Sequence, residues 1–174
     1  MEIKTVRTKE DVLEFNLRVV KKSVLIMLCF SIFILAFGII EVIANLKKGE
    51  IYYGTFLIAF GILFTPIYYV ILISSLKRNI NKNPLMVVDW NVTYNFNENE
   101  ITVVSESVAG STQNERLKWP FITKCAETKN LIIIYAGNHT GYLISKKTIS
   151  AQQVDEVKQL LLSRLGDKIC SFKN

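Results

Sequence analysis

The chain has 174 residues, half of them hydrophobic, and a formal net charge of +6. This apolar content is high for a soluble domain of such length. Most of the positive charge lies in residues 1–82, beside the two longest apolar runs, whereas residues 83–174 carry ten basic and nine acidic side chains. A basic excess at apolar boundaries is typical of membrane topology and of contact with anionic lipid, so these features argue against a nucleic-acid partner.

The first segment, residues 1–22, contains a predicted short helix. Thr8 is a candidate N-cap, and Asp11 occupies the third helical position, where an acidic side chain favours the helix N-terminus. Apolar residues then recur at helical spacing, at Val12, Phe15 and Val19. This apolar face either lies in the membrane interface or packs on the cytoplasmic domain, and the sequence leaves both interpretations open.

Two long uncharged runs follow, from Ser23 to Ile40 and from Ile51 to Leu76. Each is long enough to cross a hydrocarbon core of about 30 Å, where the backbone must satisfy its own hydrogen bonds. We therefore predict transmembrane helices over residues 23–44 and 51–76, joined as an antiparallel hairpin by an extracytoplasmic loop over residues 45–50. The alternatives are two buried core helices and, for the first run, a signal peptide. The charged leader before that run is too long for a signal peptide.

The distribution of Lys and Arg predicts the orientation of this hairpin. Three basic residues precede the first span, two lie in the loop and three follow the second span: Arg18, Lys21 and Lys22, then Lys47 and Lys48, then Lys77, Arg78 and Lys82. This bias predicts a multi-pass membrane protein with both termini in the cytoplasm. Glu41 is the only acidic residue within the spans, so we expect an anchor rather than a channel.

After residue 83 the pattern changes to short alternating strands separated by turns. The runs VTYNF, ITVVSESV and ERLKW are followed by two strands in KWPFITKCAETKNLIIIY and by GYLIS. A last amphipathic helix begins at Ser150, which forms a capping-box pattern with Gln153, and ends at Gly166. We therefore predict an α+β fold in which residues 84–174 form an antiparallel, partly open β-barrel of about six strands with the helix packed on it.

Taken together, several motifs resemble a bacterial family, the YcxB-like membrane proteins. They are TKEDVLEFN before the first span, the two-span hairpin, YNFNENEITV after it, LKWPFITKCAETKN in the middle and GYLISKKTIS before the last helix. Their order and spacing extend over nearly the whole chain. The resemblance implies a pleckstrin-homology-like domain at the C-terminal end. It implies no reaction, and it assigns no functional residue.

The residues offer little support for an enzyme. Nucleophilic catalysis needs an activated nucleophile beside a base. His139, the only histidine, lies in a Gly- and Asn-rich turn, and Cys125 lies on a predicted strand as a core or half-buried thiol. Cys29, Cys125 and Cys170 are too dispersed for a zinc site or a disulfide framework, and free thiols are typical of a reducing compartment. We therefore expect no catalytic residue, no cofactor and no metal.

A binding or regulatory role is the main alternative to an enzyme. Pleckstrin-homology-like domains that bind inositol phosphates resemble one another in a basic loop between the first two strands, but residues 97–100 here are acidic, which argues against phosphoinositide recognition. We expect contacts with lipid headgroups or with a partner at five basic residues, Lys77, Arg78, Lys82, Lys146 and Lys147. An exposed strand edge is a further candidate for binding a partner.

A third hypothesis is an immunity or accessory subunit whose spans pack against another integral membrane protein. Gly54 and Gly61 are seven residues apart on one helix face, where small side chains allow two helices to approach closely. Pro66 removes one backbone donor from the second span and favours a kink. The same residues fit a hairpin that forms a homo-oligomer through its spans.

Overall fold

The computed structural model describes residues 1–83, 88–108, 110–137 and 140–172. The chain divides into two compact units. The sheet unit consists of Met1–Phe15 and Ile80–Asn174, and the hairpin unit consists of Asn16–Asn79. The predicted domain began at residue 84, whereas the sheet unit also contains the first fifteen residues of the chain.

Two long helices carry the apolar runs. Helix α1 (Lys9–Asn45) continues without a break from the predicted N-terminal helix through the first predicted span. A 3-10 turn (Leu46–Lys48) leads to α2 (Tyr52–Lys82). Both helices are long and apolar enough to cross a membrane, and only 11% and 6% of their most apolar windows are buried. The core helix of a soluble protein is mostly buried instead.

Within the hairpin unit, small residues let the two helices come close together. A Cβ atom on Gly54 would lie 2.8 Å from the backbone oxygen of Gly38, and one on Gly61 would lie 3.2 Å from the backbone oxygen of Ser31. The Ser31 hydroxyl donates a hydrogen bond to the Gly61 carbonyl. The close approach predicted from the spacing of Gly54 and Gly61 is therefore confirmed.

The sheet unit contains two separate four-stranded sheets. The first has the order β1-β2-β3-β4 and is antiparallel: β1 (Glu2–Arg7), β2 (Trp90–Phe96), β3 (Glu100–Ser107) and β4 (Thr112–Lys118). The second has the order β7-β6-β5-β8, with β8 parallel to β5: β5 (Ile122–Glu127), β6 (Leu131–Ala136), β7 (Thr140–Ser145) and β8 (Cys170–Ser171). Helix α3 (Ala151–Leu165) lies between β7 and β8 in the chain.

The α+β class, the antiparallel sheets and the last helix are confirmed, but two details of the predicted fold are wrong. The part of the chain that the structure describes has eight strands rather than about six, and they form two four-stranded sheets and no closed barrel, whereas one partly open barrel is predicted. The additional strands are β1 and β8. β1 pairs with a strand more than 80 residues later, and β8 has only two residues, so neither has a local sequence signal.

The main core lies where the inner faces of the sheets meet α3. Its fully buried side chains include large residues from both sheets and from the helix: Trp90, Tyr94, Ile101, Ile132, Ile134, Val157 and Leu161. Full burial of one such side chain contributes about 1.5–3 kcal/mol. The Ser150 hydroxyl accepts a hydrogen bond from the Gln153 backbone and the Gln153 side chain accepts one from Ser150, which confirms the predicted capping box.

The other face of the second sheet is covered by the first turns of α1. Val12 and Phe15 pack against a small cluster formed by Leu131, Ile133 and Leu143. The sequence left open whether the apolar face of the N-terminal helix lies in the membrane interface or packs on the domain. At Val12 and Phe15, this face packs on the domain. The predicted helix start is also correct, because the Thr8 hydroxyl accepts a hydrogen bond from Asp11 N–H and the Asp11 carboxylate accepts one from Thr8 N–H.

Candidate functional site

Three of the five predicted contact residues lie on the last turns of α2. Lys77, Arg78 and Lys82 are all exposed. In the hairpin unit, the hydroxyls of Ser23 and Tyr68 are hydrogen-bonded at 2.9 Å, which places the start of the first span beside the end of the second. The exposed Lys21 therefore lies at the same end of the hairpin as Lys77 and Arg78. This end is a basic surface suited to anionic lipid headgroups.

The other two predicted contact residues are already engaged within the sheet unit. Lys146 is half-buried, and its ammonium group donates hydrogen bonds to Glu127 Oε1 at 2.8 Å and to the Thr128 carbonyl at 3.0 Å. Lys147 is exposed and forms an ion pair with Glu10 at 3.2 Å. The two lysines therefore differ: the ammonium group of Lys146 binds the end of β5, whereas Lys147 lies at the surface.

A second lysine approaches the same carboxylate. Lys158 Nζ, from α3, lies 3.2 Å from Glu127 Oε2, and only 9% of the Glu127 side chain is exposed. Burial alone raises the pKa of Glu127, but the ammonium groups of Lys146 and Lys158 outweigh burial and hold this pKa below its usual value. Glu127 is therefore an ionised bridge that fixes α3 and the loop after β7 to β5.

Sequence reasoning missed this bridge and a second set of polar contacts around α1. Asn130, in the turn between β5 and β6, donates a hydrogen bond to Glu14 at 2.9 Å. Together with the Lys147–Glu10 pair, it ties the first turns of α1 to the loops of the second sheet. Helical spacing places Glu10 and Glu14 on one side of α1, and this pattern could have indicated a polar contact surface. Their partners lie more than 100 residues later in the chain, so the pattern does not identify them.

The stretch KWPFITKCAETKNLIIIY, residues 118–135, forms part of the scaffold. Trp119 packs in the core and donates a hydrogen bond from its indole nitrogen to the Asn97 carbonyl at 3.1 Å. Cys125 is fully buried, next to the buried Cys170 of β8. The exposed Lys124 side chain is offset from both buried groups of its strand, Cys125 and Glu127.

The remaining candidates provide no catalytic arrangement within the described residues. His139 lies outside the residues that the structure describes. In the described part of the chain, no group of three or more His, Cys, Asp or Glu side chains is positioned to hold a metal ion.

The turn after β2 is closed by a hydrogen bond from Asn97 N–H to the Glu100 carbonyl, and it exposes the acidic Glu98. A phosphate group is repelled by such a turn.

Comparison with known proteins finds one family model that matches part of the chain. The model of the YcxB-like protein family matches residues 96–161, from the last residue of β2 to the middle of α3. No curated protein and no solved structure matches the chain. The matched segment contains most of the sheet unit, including Glu127, Lys146 and Lys158. The resemblance seen in the sequence is thereby confirmed: residues 96–161 match the YcxB-like protein family.

Proposed function

We propose that the protein is a two-span anchor of the bacterial inner membrane that carries a non-catalytic binding or regulatory module in the cytoplasm. The observation that carries the proposal is the pairing of β1 with β2. Arg7, at the end of β1, is the register partner of Trp90, at the start of β2, and both helices lie between them in the chain. Two strands of one sheet must lie on the same side of a membrane, so the intervening segment crosses it an even number of times.

The exposure of the hairpin supports insertion in a bilayer. Large apolar side chains are exposed along both helices, among them Ile26, Phe33, Ile43, Phe56 and Val70. Water-soluble monomers rarely expose so large a continuous apolar surface. Lys21, Lys77 and Arg78 at one end of the hairpin supply the positive charge expected on the cytoplasmic side, each contributing about 1 kcal/mol with anionic lipid.

The sheet unit supports a pleckstrin-homology-like module, as the family resemblance implies. Two stacked sets of antiparallel strands followed by a single packed helix are consistent with that architecture. The acidic turn at residues 97–100 and the engagement of Lys146 by Glu127 argue against inositol phosphates as its ligand. We therefore favour a protein partner for this unit, with lipid contacts restricted to the hairpin.

A second candidate function is an immunity or accessory subunit whose spans pack against another integral membrane protein or a second copy. An aromatic stripe on α2 favours it. Phe56 and Phe60 have ring centroids 6.3 Å apart, Phe60 and Phe64 have centroids 5.2 Å apart, and Phe56 and Phe60 are exposed. An exposed stripe of this kind fits the side chains of a neighbouring transmembrane helix.

Reporter fusions test the anchor. We expect a fluorescent protein fused after Asn174 to be bright. We expect alkaline phosphatase inserted after Gly49 to be active, because this enzyme is active only outside the cytoplasm. An active phosphatase fused after Asn174 would overturn the orientation.

Photo-crosslinking from native membranes separates the two candidate functions. Crosslinks from exposed β4 positions such as Asn114 support the binding module, whereas crosslinks only from Phe56 and Phe60 support the accessory subunit.

A further inference from the structure

The last strand of the chain brings two cysteines together. β8 runs parallel to β5 with Cys170 as the register partner of Cys125, and Cys125 N–H donates a hydrogen bond to the Ile169 carbonyl at 2.9 Å. Both thiols are free and buried. Neighbouring strands are about 4.8 Å apart. This spacing falls within the range of about 4.4–6.8 Å between α-carbons that a disulfide bridges.

The strand that carries Cys170 is the weakest element of the second sheet. β8 has two residues and lies at the sheet edge. Ile169 and Phe172 on either side of it pack on the core from partly buried positions. Short edge strands open locally at a much lower free energy than central strands. Opening of β8 therefore uncovers Cys125 and Cys170 together while the rest of the sheet unit stays folded.

The closed strand protects the two thiols from reaction. Cys125 has no exposed surface and Cys170 is 7% exposed. Burial raises the pKa of both thiols, so they are protonated at neutral pH when β8 is in place. Reaction with an oxidant is therefore restricted to the opened strand, which makes the pair responsive to sustained rather than brief oxidation.

We propose that Cys125 and Cys170 form a reversible disulfide that latches β8 to β5 when a low-molecular-weight disulfide oxidises the chain. The Cys170 thiolate attacks one sulfur of the small disulfide, and the other sulfur leaves as a thiolate that takes up the proton lost by Cys170. The Cys125 thiolate then attacks the Cys170 sulfur. The second small thiolate leaves and takes up the proton of Cys125. Two protein thiols lose two electrons, and the small disulfide becomes two thiols.

The latch acts on helix α3. The chain between Cys125 and Cys170 includes β6, β7 and all of α3, and the tail that leads from α3 to β8 is short. Val157 and Leu161 hold α3 on the core only by apolar packing, and Lys158 holds it by its ion pair with Glu127. A covalent bond at Cys170 fixes the C-terminal end of α3 to the sheet. The oxidised protein therefore opens less often around α3 than the reduced protein.

The test uses the full chain in detergent with Cys29→Ser, which removes the exposed thiol. After incubation with oxidised glutathione, we expect mass spectrometry to find a Cys125–Cys170 linked peptide lighter by two hydrogen atoms than the two free peptides. We expect hydrogen exchange of α3 to slow by about tenfold and to recover with dithiothreitol. The matched control, Cys29→Ser with Cys170→Ser, should show no change in exchange.

Three results would overturn the latch. Cys170 could carry glutathione while Cys125 stays a free thiol, or both thiols could stay reduced at a glutathione disulfide concentration that modifies them in the denaturant-unfolded chain. The linked peptide could also form without slowing exchange of α3. If Cys170→Ser loosens the fold in the reduced state, Cys170→Ala keeps an apolar edge residue and serves as the control.

Discussion

The ring of Phe15, in the second turn of α1, lies against the backbone of Gly141 in β7. A Cβ atom on residue 141 would overlap with the Cε2 and Cζ atoms of this ring. Gly141 therefore leaves the space in which Phe15 packs on the second sheet and makes its tilted contact with Tyr135, with ring centroids 5.8 Å apart. The contact joins residues that lie on opposite sides of the hairpin in the chain.

Substitution of Gly141 tests this contact. We expect Gly141→Ala to destabilise the sheet unit by about 1–3 kcal/mol, because the added methyl group overpacks the site. Thermal unfolding in detergent, followed by circular dichroism, measures the change. The double variant Phe15→Ala with Gly141→Ala removes the overlapping ring, so it should lose less stability than the two single variants combined. Additive losses would show that Phe15 and Gly141 do not interact.

Loss of the Glu127 charge should produce a pH-dependent loss of stability. The pKa of Glu127 is lowered in the folded state, so its contribution is complete above the unfolded pKa of about 4.3 and disappears as pH falls through the folded value. We expect Glu127→Gln to cost about 1.5–3 kcal/mol at pH 7, because two half-buried ammonium groups lose their partner. Denaturant titrations should show this difference shrinking below about pH 4.5.

The control for the charge effect is Glu156→Gln, which changes an exposed glutamate on the same helix that Lys158 belongs to. This variant should stay within about 0.5 kcal/mol of the parent protein at every pH. A pH-independent cost of Glu127→Gln would indicate lost packing rather than lost charge.

The capping box of α3 gives a local test. The Ser150 hydroxyl caps the helix, whereas Ser163 is exposed and donates to the Leu160 carbonyl within the helix. We expect Ser150→Ala to cost about 1 kcal/mol, because it leaves the Gln153 N–H without its acceptor. Ser163→Ala should change the free energy of unfolding by less than about 0.5 kcal/mol. Equal effects in denaturant unfolding would contradict the capping assignment.

The helix contact at Gly54 should be sensitive to one added methyl group. The nearest atoms to a Cβ on Gly54 include the backbone oxygen of Gly38 and the backbone nitrogen of Val42, so the helices themselves must separate. We expect Gly54→Ala to lower the stability of the hairpin in detergent by about 1–3 kcal/mol. Ala59→Val, on an exposed position of the same helix, should be close to neutral. Equal midpoints for both variants in thermal aggregation assays would contradict the contact.

The sheet unit should fold without the hairpin only when both of its chain segments are present. We expect residues 84–174 alone to aggregate, because they lack β1 and expose the apolar face that Val12 and Phe15 cover. A chain in which about 20 Gly and Ser residues replace residues 16–79 spans roughly 25 Å and should fold as a soluble unit. Circular dichroism and size-exclusion chromatography distinguish the outcomes. A folded, monomeric 84–174 fragment would show that β1 is dispensable.

The features that the sequence predicted correctly depend on residues close together in the chain. Thr8 and Asp11, or Ser150 and Gln153, are three residues apart, so each capping box is visible as a short pattern. The strands β2 to β7 follow one another through tight turns, and apolar alternation or, for β6, a continuous apolar run identifies them. Gly54 and Gly61 are likewise a local pattern on one helix.

The missed features depend on pairings that a linear pattern does not contain. Lys146 and Lys147 look like an exposed basic pair, but the partner of Lys146 is Glu127, 19 positions earlier and on another strand. The alternation of Ile3 and Thr5 in β1 is too brief to identify a strand, and its partner β2 begins at Trp90. The two residues of β8 are ordered by β5 and not by their own propensity.

The pairing of β1 with β2 also sets an order of events during translation. Glu2 leaves the ribosome before both helices, whereas its register partner Asn95 follows them, so β1 waits while the helices are made. At about 5–20 residues per second, this delay is on the order of ten seconds. If the hairpin crosses a membrane as proposed, a chain that inserts only one of its two helices leaves β1 and β2 on opposite sides of the bilayer, and the sheet does not form. Completion of the sheet then acts as a check on insertion, and an incorrectly inserted chain stays unfolded and open to proteolysis.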